Sequence, residues 1–209
     1  MHVPRHHALV RLTVLLALGT LLAGGSPAAV AAPKKPQKLS FDMVVSAGAA
    51  ACLSHAKAHV TIEAQGESQK MKVEVDGLPA NTTFTLFVLQ VPTAPFAMAW
   101  YQGDITTDHH GRGHQTFLGI FSTETFIHAP SSQPAPQTHP TVDALSNPAT
   151  APVHMYHLGI WFDDPDDAAA AGCPNAVTPF NGDHHAGIQV LNTSNAGTAA
   201  ADGSLGAFE

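Results

Sequence analysis

The sequence predicts an all-β protein: a single antiparallel β-sandwich of about eight strands, with one short helix and a long Pro-rich loop. Three observations predict it. Apolar residues recur at every second position over several short runs, the pattern of strands with one buried face. Gly, Pro, Asn and Asp clusters punctuate those runs. No helical crossover of about ten residues separates them, as an alternating α/β fold requires.

Residues 40–46, "SFDMVVS", give the first strand, and an Ala-rich piece at 47–51 leads to Cys52. From Lys57 the alternation is regular: Ala58, Val60, Ile62 and Ala64 face one way, and Lys57, His59, Thr61 and Glu63 the other. "QGESQ" turns the chain, after which Met71, Val73 and Val75 face inward and Lys70, Lys72, Glu74 and Asp76 outward. These two runs are a hairpin. "DGLPAN" is a turn before a strand at 82–91, and further strands follow at 97–107 and 114–122. "ETFIHA" either extends the last of these or forms a short strand of its own. The final strands fall at 152–162 and 186–192.

The remaining segments set the domain organisation. Residues 1–32 read as an export signal: Arg5 and Arg11, an apolar run from Leu9 to Leu22, then small residues with cleavage after Ala31 or Ala32. A flexible leader occupies 33–39 and the sandwich domain 40–192. Within it 129–152 forms the Pro-rich loop, and a loose Gly/Ala-rich tail spans 193–209. No stretch after the signal reaches the length of a membrane span, so the mature chain is expected free outside the cell. Without Arg5 and Arg11 it keeps seven basic residues against sixteen acidic ones. The few basic residues are scattered, which argues against a nucleic-acid partner. Cys52 and Cys173 are the two cysteines, and export makes them an expected disulfide.

Chemistry-bearing residues concentrate in "TTDHHGRGHQ", Thr106 to Gln115. Asp108 suits the first position of a type I turn, because its carboxylate accepts a backbone N–H two residues on. Gly111 suits the position that needs positive φ. His109 and His110 then occupy the tolerant centre, and His114 begins the return strand. A second copy of the tripeptide, Asp183-His184-His185, precedes the last strand. Should both loops lie at one end of the sandwich, His109, His110, His114, His184 and Asp183 become candidate ligands for copper or zinc. The turn reading accounts for more of the residues.

Other groups have structural explanations. "DDPDDAAAAG" follows helix grammar: Asp164 as N-cap, Pro165 first, acids in the first turn and Gly172 as the stop. Of His154 and His157, one is expected to be partly buried with a hydrogen-bond partner. Trp100, Tyr101, Tyr156 and Trp161 read as core rings ahead of a carbohydrate or peptide platform. No nucleophile elbow, P-loop or HExxH motif is present.

"KVEVDGLPANTTFTLFVLQ" and "GDITTDHHGRGHQTF" resemble the strand–turn–strand and hairpin of secreted bacterial immunoglobulin-like β-sandwich proteins. That resemblance implies the fold of a secreted sandwich; the function expected for the chain is a non-enzymatic binding or structural role towards an extracellular ligand or cell-surface component, the alternative being a copper- or zinc-binding protein, or a metalloenzyme, using the histidines of the two DHH loops. Copper–zinc superoxide dismutases share such a sandwich, but their HxH copper strand is missing here. The nearest histidines, His154 and His157, stand two residues apart.

Overall fold

The computed structural model describes residues 38–127, 153–178 and 185–208. The export segment, the Pro-rich loop 129–152, Asp183 and His184 lie outside the described residues. In chain order the elements are β1 (Lys38–Val45), β2 (Lys57–Gln65), β3 (Ser68–Asp76), β4 (Thr83–Leu89), β5 (Ala99–Thr106) and β6 (Gly113–Gly119), then β7 (Phe126–Ile127), β8 (Val153–His154), β9 (His157–Phe162), α1 (Pro165–Ala170) and β10 (Gln189–Asn192). The described residues are therefore all-β with one short helix. No helix among the described residues is long and apolar enough to cross a membrane.

The expected pair of stacked sheets is one sheet. Eight strands are hydrogen-bonded in the order β5-β4-β9-β10-β1-β2-β3-β6, and β7 and β8 form a separate ribbon. The reason lies in β1. Its residues Lys38 to Met43 pair with β2, whereas Val44 and Val45 pair with β10, so the two halves of the sheet stay joined through one strand. The sheet curls enough for both inner faces to share a core: Val60, Ile62, Met71 and Val73 pack in one cluster with Phe84, Leu86, Leu158 and Ile160. Its edge strands, β5 and β6, meet at the Asp108 turn. There a side chain on Gly103 would come within 2.6 Å of the Phe117 ring.

The β2–β3 hairpin follows its alternation, with pairs running from Lys57 opposite Asp76 to Gln65 opposite Ser68. β4 and β9 are buried on both faces. Their second faces hold a smaller cluster of Phe87, Leu89 and Trp161, with Phe96 packed against it. That explains the unbroken apolar run "LFVL", which alternation alone does not.

Three expectations need correction. Lys38 and Leu39 belong to β1, not to the flexible leader. The strand expected at 152–162 breaks at Met155 and Tyr156, because Met155 N–H donates to Thr125 O at 2.9 Å and Tyr156 O accepts from Leu205 N at 3.0 Å. The tail expected to be loose forms 3-10 turns at Ser194–Ala196, Ala200–Asp202 and Ser204–Ala207. It buries Leu205 and Phe208, 0% and 1% exposed. Two large apolar side chains among small residues suffice to dock it.

α1 obeys its predicted grammar. Asp164 accepts from Asp166 N at 2.7 Å, Pro165 opens the helix and Gly172 takes φ +75° beyond its end. Cys173 follows directly and is disulfide-bonded to Cys52, with Cα atoms 5.3 Å apart, tying α1 to the segment between β1 and β2.

Candidate functional site

The Asp108 turn is built for its own backbone. Asp108 Oδ1 accepts from His110 N at 2.8 Å and Arg112 N at 3.0 Å. These two bonds, the Arg112 contact first, hold its carboxyl below the usual carboxylate range. Gly111 has φ +74°, and its N–H donates to Asp108 O at 3.0 Å. The turn docks on the one before β4: Leu78 N–H donates to Gly111 O at 3.2 Å and Asn81 N–H to Asp108 O at 3.1 Å. His109 and His110 are left at the exposed tip with ring centroids 3.8 Å apart.

His114 sits on the outer face of β6, opposite Glu74 of β3. His185 is exposed and directly precedes Ala186, which is bridged to Thr178. Of the other candidates, Asp183 and His184 lie outside the described residues. Among the described residues no three His, Cys, Asp or Glu side chains are gathered as a ready metal site.

The buried histidine is His157, 0% exposed. Its Nε2–H donates to Ala199 O at 2.9 Å, and its Nδ1 accepts from the Thr193 hydroxyl at 3.0 Å. Thr193 Oγ1 in turn accepts from Leu158 N at 3.1 Å. Burial pushes the imidazole below its ordinary value. This histidine clamps the tail to β9. His154 pairs through Nδ1 with the Tyr156 hydroxyl at 2.6 Å.

Sequence reasoning passed over the segment between β4 and β5. Gln90 N–H donates to Met98 O at 2.8 Å and Val91 N–H to Phe96 O at 3.1 Å, closing a tight loop with Phe96 and Ala97 both at φ +56°. Left-handed backbone costs a non-glycine residue about 1–2 kcal/mol, and strain of this kind persists only where surroundings impose it. Here the Phe96 ring packs edge-on against Trp161 at 5.2 Å, and Gln189 Nε2 donates to Pro92 O at 2.9 Å. The loop thereby becomes one wall of a groove of about 460 Å³, bordered by Ser46, Thr93, Phe96, Thr178, Ile188 and Gln189. "PTAPF" was the available signal, two prolines beside an aromatic residue.

The outer face of β1, β2, β3 and β6 carries a set of ion pairs. Lys38 and Lys70 bracket Glu63 at 3.1 and 3.0 Å, and Lys57 and Arg112 bracket Asp76 at 3.3 and 3.4 Å. Lys70 is the larger influence lowering the Glu63 carboxyl, and Lys57 the larger at Asp76. Both carboxylates are half-exposed and their cationic partners lie in solvent, so these pairs stabilise little.

No model of a known protein family matches the chain, and comparison with curated proteins gives no match.

Proposed function

We propose that the protein is an exported, non-enzymatic binding module, and that its ligand seat is the groove beside the β4–β5 loop. The ligand class is a small extracellular molecule, free or displayed on a cell surface, that offers an apolar ring and a few polar atoms. The carrying observation is the consecutive left-handed pair Phe96 and Ala97, backbone strain maintained at the wall of a groove. About 460 Å³ is in the range of small-molecule sites. Phe96 and Ile188 supply apolar contact, and Thr93 and Thr178 supply hydroxyls. Export is supported by the signal-like residues 1–32 and by the Cys52–Cys173 disulfide. Among the buried polar side chains His157, Thr107 and Thr125 bond backbone carbonyls, a structural use that suits a binding module.

Fluorescence titration of the purified chain with anilinonaphthalene sulfonate, an amphipathic aromatic probe, tests the seat. One saturable site is expected. Ala47→Trp, which fills the groove from its rim, should weaken it about tenfold or more, and Leu118→Ser on the exposed face of β6 should not. Weakening by Leu118→Ser with none by Ala47→Trp overturns the assignment.

A further inference from the structure

One straight row of side chains crosses the outer face of the charged half of the sheet, one from each strand. Register sets Asp42 of β1 opposite His59 of β2, His59 opposite Glu74 of β3, and Glu74 opposite His114 of β6. All four are exposed. Directly opposed residues hold their Cβ atoms about 4.5–5.5 Å apart, so the two imidazoles stand roughly 10 Å apart with a carboxylate between them. An ion bonded to both rings at about 2.0–2.1 Å falls above the Glu74 side chain.

His59 is prepared for such an ion. Its Nδ1 bonds Asp42 Oδ1 at 2.7 Å. An ionised carboxylate only accepts, so Nδ1 carries the proton and Nε2 keeps a lone pair directed away from Asp42. Carboxylates orient metal-ligating histidines in this manner. As the side chains stand, Glu74 leans along its own strand to Lys72, Oε1 to Nζ 2.7 Å, which is why the three ligands are not already gathered. An exposed pair of this kind is a weak competitor, and one rotation brings the carboxylate over the row.

We propose that this row is a binding site for one divalent transition-metal ion of the zinc or copper class, with His59 Nε2, the Glu74 carboxylate and a His114 ring nitrogen as ligands and Asp42 orienting His59. Water completes the shell. Two imidazoles and one carboxylate suit zinc or copper and not calcium or magnesium, which take oxygen ligands. The site involves neither the groove nor the tip histidines, and it stands or falls apart from both.

The test is calorimetric titration of the untagged chain with zinc chloride, with imidazole resonances followed by NMR. One ion per chain is expected, and the rings of His59 and His114 should shift first. His59→Ala and His114→Ala should each weaken binding about tenfold or more. Asp42→Asn should weaken it about 10–100-fold, as loss of an orienting carboxylate does, with the zinc-dependent His59 shift reduced. Exchange of His109 and His110 for alanine should leave affinity unchanged. All of these positions are exposed, so circular dichroism should report the parent fold. Absence of saturable binding, unchanged affinity in His59→Ala or His114→Ala, or a first shift at His109 or His110 overturns the proposal.

Discussion

Replacing Gly111 with alanine separates a turn built for its backbone from a turn built to hold a ligand. Gly111 has φ +74°, and a side-chain carbon there would lie 2.0 Å from Leu78 O. The left-handed conformation costs a non-glycine residue about 1–2 kcal/mol. Relief of the clash must also part the two turns, breaking the bonds Leu78 N–H to Gly111 O and Asn81 N–H to Asp108 O. Each is worth about 0.5–1.5 kcal/mol net. The total, about 2–5 kcal/mol, is a large share of the roughly 5–15 kcal/mol that stabilises a domain. Urea unfolding followed by tryptophan fluorescence should show it, and thermal unfolding should show a fall in Tm of roughly 10 °C. His109→Ala and His110→Ala, at the exposed tip, should each stay within about 0.5 kcal/mol of the parent. The turn explanation is refuted if Gly111→Ala is neutral, or if the histidine variants cost as much.

Other outcomes follow from single features. Burial holds the His157 imidazole below its ordinary value of 6.5, so the unfolded chain binds the proton more readily. Stability should be level above about pH 6.5 and fall as pH drops through the window below it. His157→Gln should remove that slope, and an unchanged slope in this variant would contradict the assignment. Cys52→Ser opens a loop of sequence separation 121, and the chain-entropy model gives a loss of about 5 kcal/mol; calorimetry showing an unchanged Tm would contradict it. Phe208 is 1% exposed, so Phe208→Ala should cost about 3–5 kcal/mol in urea unfolding. A cost below about 0.5 kcal/mol would return the tail to a loose appendage.

What was legible in the sequence is what local patterning determines. The β2–β3 hairpin follows from alternation between Lys57 and Asp76, α1 from Asp164 and Pro165, and the β5–β6 turn from Asp108 and Gly111. Features set by distant pairing were hidden. Nothing local in "SFDMVVS" says that β1 changes partners after Met43, so one curled sheet reads like two layers. Leu205 and Phe208 are too few to create a periodic signal, yet both are buried. The row from Asp42 to His114 exists only because β6 lies beside β3. His114 attracted notice for its neighbours in sequence, whereas its neighbours across the sheet give it a chemical setting. The groove was missed because the strands expected at 82–91 and 97–107 left its loop as a short gap.

The seat beside the β4–β5 loop can be tested most directly by intermolecular nuclear Overhauser effects between bound anilinonaphthalene sulfonate and the methyl-labelled chain. Contacts to the methyls of Thr93, Thr178 and Ile188, together with the Phe96 ring, are expected. Contacts instead to Leu118 and Ile120 on the opposite half of the sheet, 65% and 38% exposed, would contradict it.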